Sequence, residues 1–207
     1  MNAATTTLVH TIAGRAESRS LGRAISFALV LFVAVLTAAA AQISVPLPFT
    51  AVPFTFQPMI VLLGGLALGS TLGLTSQMLY LAAGIAGLPV FAASPVLPPG
   101  ALRLLGPTGG YLIAYPVAAF VVGYLAERGF SRRYATSVLA MLAGLAIIYA
   151  CGAMWLGMFA RLGTQNAAVG IQAALATGVA PFVLADLVKL FAAAAVLPGL
   201  WRLTGRS

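Results

Sequence analysis

The chain has 207 residues, of which 61% are hydrophobic and 7% are charged, with 11 Lys and Arg against 3 Asp and Glu. A soluble domain has about 25% charged residues, so this chain carries too few charges to cover a soluble protein of its size. The mean hydropathy of +1.05 agrees. These values indicate an integral membrane protein and exclude a soluble enzyme, a nucleic-acid-binding protein and a disordered chain.

The net charge of +8 does not point to nucleic acid, because the basic residues lie at the ends of apolar stretches and form no basic face. The chain has one histidine, His10 in the polar N-terminal segment, and one cysteine, Cys151 in an apolar stretch. One of each cannot build a metal cluster, and a single cysteine cannot form an intrachain disulfide. We therefore expect no metal site.

Six apolar stretches follow one another along the chain, at residues 24–42, 55–68, 72–88, 109–126, 135–159 and 179–197. A hydrocarbon core of about 30 Å requires about 20 apolar residues in a helix, and the second stretch is the shortest. The first stretch is longer than the apolar part of a signal peptide, which favours a retained helix. The sequence thus predicts an all-α integral membrane protein with six transmembrane helices.

The basic residues in the loops predict the orientation of these helices. With the N-terminus inside, eight Lys and Arg lie on the cytoplasmic side, and Arg103 and Arg161 lie on the opposite side. Both termini are then cytoplasmic, as an even number of helices requires. We expect a transmembrane domain at residues 24–201 between cytoplasmic tails at 1–23 and 202–207, in a multi-pass protein of the cytoplasmic membrane.

The connections between the stretches differ in character. In the segment 44–58, Pro46, Pro48 and Pro53 exclude a regular helix, but the segment is apolar, so we expect it to lie against the mouth of the bundle. Loops are also predicted at 89–106 and 161–172, and a tight turn at 69–71. Glycines at 65, 69 and 73 form GxxxG pairs, which permit either close packing inside the bundle or docking of a partner helix.

Asp186 and Lys189 are the only charged residues inside a predicted span. Each costs roughly 2.5–3.5 kcal/mol near the centre of a bilayer, and at this spacing the two share a helix face and can pair. Three interpretations stay open: an ion pair that only joins helices, a pair that binds a polar ligand, and part of an ion or proton pathway.

The motif LLGPTGGY at residues 104–111 leads into the fourth stretch. Thr108 is a plausible helix cap, and the N–H groups that follow can face an anion such as a carboxylate. A Gly-Pro turn that merely opens a helix explains the pattern equally well. The Gly-Lys-Ser/Thr of a P-loop is absent, so we expect no ATP hydrolysis through such a loop on this chain.

Polar and aromatic residues collect near the predicted outer mouth, namely Gln57, Gln77, Tyr80, Phe91, Arg103 and Tyr111. Aromatic residues at the membrane interface are an alternative explanation for Tyr80 and Phe91. The bundle contains no histidine for a nucleophilic triad, and one Asp and two Glu in the whole chain do not supply paired catalytic carboxylates. We therefore expect no catalytic residues and no enzyme activity.

Four segments carry a resemblance to a known family: ISVPLPFTAVPFTFQP at 43–58, GLPVF at 87–91, the LLGPTGGY motif, and DLVK at 186–189. In order and spacing they resemble the BioY family, the biotin-specific S components of energy-coupling factor (ECF) transporters, over residues 24–198. The resemblance implies a substrate-binding membrane subunit that captures biotin with high affinity. It also implies that a separate transmembrane coupling protein (T component) and two ABC-type ATPases drive uptake and use ATP, so this chain needs no cofactor.

The resemblance implies that Asp186 and Lys189 line the biotin pocket, and that the first loop and the GPTGGY turn form a lid. With the residues near the outer mouth, the expected biotin-binding set is Asp186, Lys189, Gln77, Tyr80, Phe91, Arg103, Thr108, Gly109, Gly110 and Tyr111. An AxxxA pattern in the first helix is expected to dock the coupling protein. Ala24 and Ala28 match it, and so do Ala34 and Ala38.

The alternative hypothesis is a stand-alone ion- or proton-coupled carrier of a small vitamin-like solute. Such carriers usually place titratable groups in several spans and often contain inverted repeats. This sequence has one charged pair in one span and no visible repeat.

Overall fold

The computed structural model describes residue 7 and residues 18–94, 97–160 and 169–203, without the side chains of 202 and 203. Its helices are α1 (Arg19–Gln42), α2 (Gln57–Leu68), α3 (Ser70–Ile85), α4 (Leu102–Leu105), α5 (Gly109–Leu125), α6 (Tyr134–Met158), α7 (Ile171–Gly178), α8 (Ala180–Ala194) and α9 (Val196–Leu203). A wider π-type turn, Ala126–Phe130, extends α5. Two short strands, β1 (Ser44–Val45) and β2 (Phe54–Thr55), pair antiparallel.

Each predicted apolar stretch contains a helix, so the mostly helical fold is confirmed. Within the described residues, four helices have the length and composition to cross a membrane: Arg19–Gln42, Gly109–Phe130, Tyr134–Met158 and Ala180–Trp201. Helices α2 and α3 are shorter, with 12 and 16 residues. The chain is therefore a multi-pass membrane protein, whereas the count of six transmembrane helices and the side of the termini stay predictions.

The bounds of several elements differ from those predicted. Helix α1 begins before the apolar stretch, because the Ser18 hydroxyl accepts a hydrogen bond from the Leu21 amide at 3.2 Å and caps the helix. The turn at 69–71 consists of Gly69 alone, whose φ of +88° suits a residue without a side chain. The predicted loop 161–172 overlaps α7, which begins at Ile171; residues 161–168 lie outside the described part.

Helix α5 lies at the centre of the bundle and packs against α6, α3 and α2. Ala118, Ala119 and Val122 of α5 are fully buried. A Cβ on Gly65 of α2 would lie 2.5 Å from the Ala119 carbonyl oxygen, so only glycine permits the observed approach of α2 to α5. Of the two interpretations of the GxxxG pairs, packing inside the bundle accounts for Gly65.

The start of α3 is held by a carboxylate from another part of the chain. Glu127 Oε1 accepts hydrogen bonds from the Ser70 amide at 2.7 Å and from the Ser70 hydroxyl at 2.8 Å. A negative charge at the first turn of a helix also interacts favourably with the helix dipole. This contact joins the π-type turn to the α2–α3 connection at the end of α2 farther from the hairpin.

The proline-rich segment is non-helical, as predicted, and forms a hairpin. Ser44 pairs with Thr55 and Val45 with Phe54, while the three prolines lie outside the two strands. Proline lacks the N–H that a strand pair requires. The hairpin brings residues 52–55 over the starts of α2 and α5, where the pocket described below lies.

Candidate functional site

A pocket lies between the hairpin and the helix bundle, and we call it the central pocket. Its cavity volume is about 50 Å³. Its lining comes from the hairpin, the start of α2, the segment after α3, the start of α5, and α6 to α8. The lining residues are Val52, Pro53, Thr55, Gln57, Pro58, Phe91, Ala92, Thr108, Tyr111, Leu112, Tyr115, Ile148, Tyr149, Gly178, Phe182 and Asp186.

Asp186 is the only charged side chain in this lining among the described residues, and it is 6% exposed. One of its carboxylate oxygens forms an ion pair with Lys189, one turn further along α8. The other accepts a hydrogen bond of 2.6 Å from the Tyr149 hydroxyl of α6. The carboxylate is therefore held from two sides and still borders the pocket.

Lys189 lies behind Asp186 and is absent from the described lining of the central pocket. Its ammonium donates a hydrogen bond of 2.7 Å to the Thr55 carbonyl oxygen of β2 and lies 4.1 Å from the centre of the Phe54 ring. An ammonium has three N–H donors, and a cation above an aromatic face is attracted to it. In the structure Lys189 thus joins the hairpin to α8.

A second set of hydrogen bonds connects residues in the wall of the pocket. The Gln57 amide nitrogen donates to the Tyr80 hydroxyl at 2.6 Å, and Tyr80 donates to the Val90 carbonyl oxygen at 3.2 Å. The Phe91 ring, which lines the pocket, meets the Tyr80 ring edge to face at 5.4 Å. Tyr80 itself is 1% exposed and supports two lining residues without bordering the pocket.

The GPTGGY turn contributes Thr108 and Tyr111 to the lining. Tyr111 donates a hydrogen bond of 2.8 Å to the Gly178 carbonyl oxygen, which fixes the ring. A Cβ on Gly109 would collide with the Leu104 carbonyl, and a Cβ on Gly110 would lie 2.5 Å from the Cys151 carbonyl oxygen. The two glycines therefore serve the close packing of α5 against α4 and α6, and Thr108 makes no capping hydrogen bond.

Arg103 lines a neighbouring cavity of about 190 Å³, which we call the outer vestibule. The vestibule shares Pro53, Ala92 and Thr108 with the central pocket. Arg103 donates to the Ala92 carbonyl oxygen at 2.8 Å and to the Pro98 carbonyl oxygen at 3.1 Å. Burial lowers the pKa of its guanidinium, which stays charged because an arginine is not deprotonated in proteins.

Gln77 lies between α1 and α3, away from both cavities. It is fully buried, and its amide nitrogen donates to the Thr37 hydroxyl at 3.3 Å and the Ser76 hydroxyl at 3.2 Å. Of the ten expected binding residues, the structure thus places four in the central lining: Phe91, Thr108, Tyr111 and Asp186. The roles of all ten stay predictions.

Sequence reasoning did not assign several lining residues. The sequence places Gln57 near the mouth without indicating a role for it, and it does not indicate Tyr115 or Tyr149. Tyr115 follows Tyr111 by four residues and so lies on the same helix face, which is a signal that the sequence does contain. Tyr149 carries no such local signal, because its partner Asp186 is 37 residues away.

A bundle with several helices of membrane-spanning length, and a mainly apolar pocket whose described lining contains one carboxylate, defines a ligand-binding membrane protein. The family model described as BioY family matches residues 10–206. The chain therefore belongs to the BioY family.

Individual relatives agree with the family. A protein named probable biotin transporter BioY from Pyrococcus horikoshii is 44% identical over 169 residues, which is 82% of this chain and 90% of the relative. The biotin transporter BioY of Thermotoga maritima is 39% identical over 152 residues, covering 73% of this chain and 82% of the relative. These names are those of transporters, in agreement with the expectation that the chain is not an enzyme.

A solved structure has the same fold. The crystal structure of an S-component for biotin from an ECF-type ABC transporter superposes with a TM-score of 0.77. The superposition covers 90% of this chain and 95% of that chain, at 23% sequence identity. At this identity the likeness establishes the shared fold.

Proposed function

We propose that this chain is the biotin-binding S component of an ECF transporter and mediates the uptake of biotin. Membership of the BioY family and the names of the relatives support the ligand. The observation that carries the proposal in this chain is the buried Asp186 carboxylate, held by Tyr149 and Lys189 at the edge of a pocket whose described lining is otherwise uncharged.

The chemistry of biotin fits this lining. Biotin has a ureido ring with two N–H donors and one carbonyl, a thioether ring, and a valerate carboxylate. An ionised Asp186 can accept a ureido N–H, and the rings of Phe91, Tyr111 and Phe182 can cover the apolar bicycle. Ligand pockets are typically apolar with a few polar groups that set orientation. The described part of the central pocket has this composition.

Arg103 is proposed to receive the valerate carboxylate. It lies in the outer vestibule, which adjoins the central pocket at Pro53, Ala92 and Thr108. A ligand with its bicycle beside Asp186 and its chain directed outward would bring an anion toward this cation. The vestibule also borders the hairpin segment at 46–51, which supports the proposed lid.

The proposal includes six transmembrane helices, with cytoplasmic tails at 1–23 and 202–207, in the cytoplasmic membrane. The four helices of membrane-spanning length support a multi-pass arrangement, and the bias of eight basic residues against two supports the orientation. Most of both tails lies outside the described residues.

Energy for uptake is proposed to come from a T component and two ABC-type ATPases. Ala24 and Ala28 are exposed along α1, whereas Ala34 is buried in the core and Ala38 is half-buried. Small exposed residues let a partner helix approach closely. This difference supports Ala24 and Ala28 as the docking pair.

A biotin titration of the protein purified in detergent tests the function. We expect wild-type protein to bind biotin and Asp186→Asn to bind it about 10- to 150-fold more weakly, the value of a hydrogen bond to a charged group. Glu127→Gln is the matched control, because it makes the same change at a carboxylate outside the pocket. No binding by the wild-type protein would overturn the proposal.

Transport in cells separates this proposal from a stand-alone carrier. Biotin uptake through the S component should stop when ATP is depleted and the membrane potential is maintained. It should continue when an uncoupler is added and ATP is maintained. The reverse pattern would identify an ion- or proton-coupled carrier.

A further inference from the structure

The Gln57 side chain lies at the start of α2, lines the central pocket and is 3% exposed. Its amide nitrogen donates to the Tyr80 hydroxyl at 2.6 Å. Its carbonyl oxygen accepts no hydrogen bond from the described part of the chain. The oxygen is not among the fully buried unpartnered atoms of the described residues, so it still reaches the pocket space. An amide with one end bonded to the protein and the other end open to a pocket is a candidate ligand contact, because a ligand that closed over the oxygen without bonding to it would leave an unpaired acceptor.

The Tyr80 hydroxyl determines which end of the Gln57 amide is free. A hydroxyl has one proton, and Tyr80 donates it to the Val90 carbonyl oxygen at 3.2 Å. In this arrangement Tyr80 accepts a hydrogen bond from Gln57, with the amide nitrogen facing Tyr80 and the carbonyl oxygen facing away. The orientation of an amide is assigned from its hydrogen-bond network in this manner.

We infer that Gln57 is a second hydrogen-bond acceptor of the site, with Tyr80 as the residue that positions it. Gln57 Oε1 accepts one ureido N–H of biotin and the Asp186 carboxylate accepts the other. The two acceptors come from α2 and α8, on different walls of the same pocket. A cyclic urea has two N–H donors, so two acceptors match it and disfavour analogues that lack one. This inference rests on the proposed function.

A double-mutant cycle tests the inference by biotin affinity. Gln57→Leu should weaken binding about 5- to 100-fold, because one ureido N–H is left buried without an acceptor. Tyr80→Phe should weaken binding several-fold in the wild-type background. It should cause no further loss in Gln57→Leu, since a positioning residue acts only through the group that it positions. Tyr134→Phe is the matched control, because it removes a hydroxyl that donates to the Phe191 carbonyl, outside the pocket.

A biotin analogue with a thiocarbonyl in place of the ureido carbonyl distinguishes a Gln57 contact to a ureido N–H from a Gln57 contact to the ureido carbonyl. Sulfur is a weaker acceptor than oxygen, whereas both N–H donors are retained. If Gln57 accepts an N–H, the Gln57→Leu substitution should lower the affinity for this analogue by at least as large a factor as it lowers the affinity for biotin. A smaller loss for the analogue would mean that Gln57 donates to the ureido carbonyl, and this would overturn the inference.

Gln57→Met, which keeps the length of the side chain, is measured beside Gln57→Leu in case the latter folds poorly. The inference is also overturned if wild-type protein binds biotin and both variants bind within about twofold of it. If the losses of biotin affinity in Gln57→Leu and Tyr80→Phe add in the double variant, Tyr80 does not act by positioning Gln57. Failure of the wild-type protein to bind biotin would instead overturn the proposed function, so the two failures are distinguishable.

Discussion

Removing one member of the Asp186–Lys189 pair should have unequal effects on stability. In Lys189→Gln, the Asp186 carboxylate loses its ion pair and keeps only neutral donors, among them the Tyr149 hydroxyl. In Asp186→Asn, the Lys189 ammonium keeps the Thr55 carbonyl oxygen at 2.7 Å and the face of Phe54. Breaking a buried ion pair on one side costs about 3–5 kcal/mol. We expect Lys189→Gln toward the upper end of this range and Asp186→Asn toward the lower end.

The double variant Asp186→Asn, Lys189→Gln should recover much of the lost stability. It removes both charges of the pair, and the two amides can still hydrogen-bond to each other and to Tyr149 or Thr55. Replacing a buried ion pair by neutral groups is often nearly neutral for stability. Thermal unfolding of the three variants in detergent, followed without ligand, measures this recovery.

Biotin affinity should not recover with stability. An Asn at 186 is a weaker acceptor than a carboxylate, and loss of a hydrogen bond to a charged group costs roughly 1.5–3 kcal/mol, or about 10- to 150-fold in Kd. Titrations of the same three variants decide the matter. If affinity and stability recover together in the double variant, the pair is a scaffold. The binding site must then be sought around Arg103, Gln57 and the turn at 106–111.

Two further predictions concern the protein in its membrane. The first uses single-cysteine variants in a Cys151→Ala background, with the cysteine placed at the exposed position Pro98 or at the exposed position Arg133. A membrane-impermeant thiol reagent added outside should label position 98 and not position 133. Strong labelling at 133 from outside would contradict the predicted orientation. Ala24→Trp or Ala28→Trp should leave biotin binding intact but lower uptake and co-purification of the coupling protein, because a bulky side chain blocks close helix approach. Wild-type uptake and co-purification in both variants would place the docking surface elsewhere.

Much of the fold follows from local sequence patterns. Apolar stretches of sufficient length form helices wherever they occur, and the prolines at 46, 48 and 53 keep the first loop out of a helix. The bounds were harder to predict, since a cap such as Ser18 extends α1 into residues that are not apolar. The extra helix α7 begins at the end of the predicted polar loop 161–172 and continues through residues 173–178, to which the sequence pattern assigns no element.

The candidate site could be predicted only in part, because its contacts join distant parts of the chain. Asp186 and Lys189 share a helix turn, so their spacing alone indicates an ion pair. The contact between Lys189 and Thr55 spans 134 residues, and no local pattern contains it. Likewise, the glycines of GPTGGY are compatible with an anion site by sequence. Only the positions of Leu104 and Cys151 show that they permit close packing.

The long-range contacts also explain how a site with so few charges can be specific. Two polar groups that border the central pocket are each held by a residue of another element: Asp186 by Tyr149, and Gln57 by Tyr80. Side chains fixed before the ligand arrives lose little conformational entropy on binding. Because Lys189 bonds to both Asp186 and the hairpin, the position of the hairpin and the orientation of the carboxylate depend on the same ammonium group. A ligand that contacts Asp186 would therefore act on a group that is already connected to the hairpin.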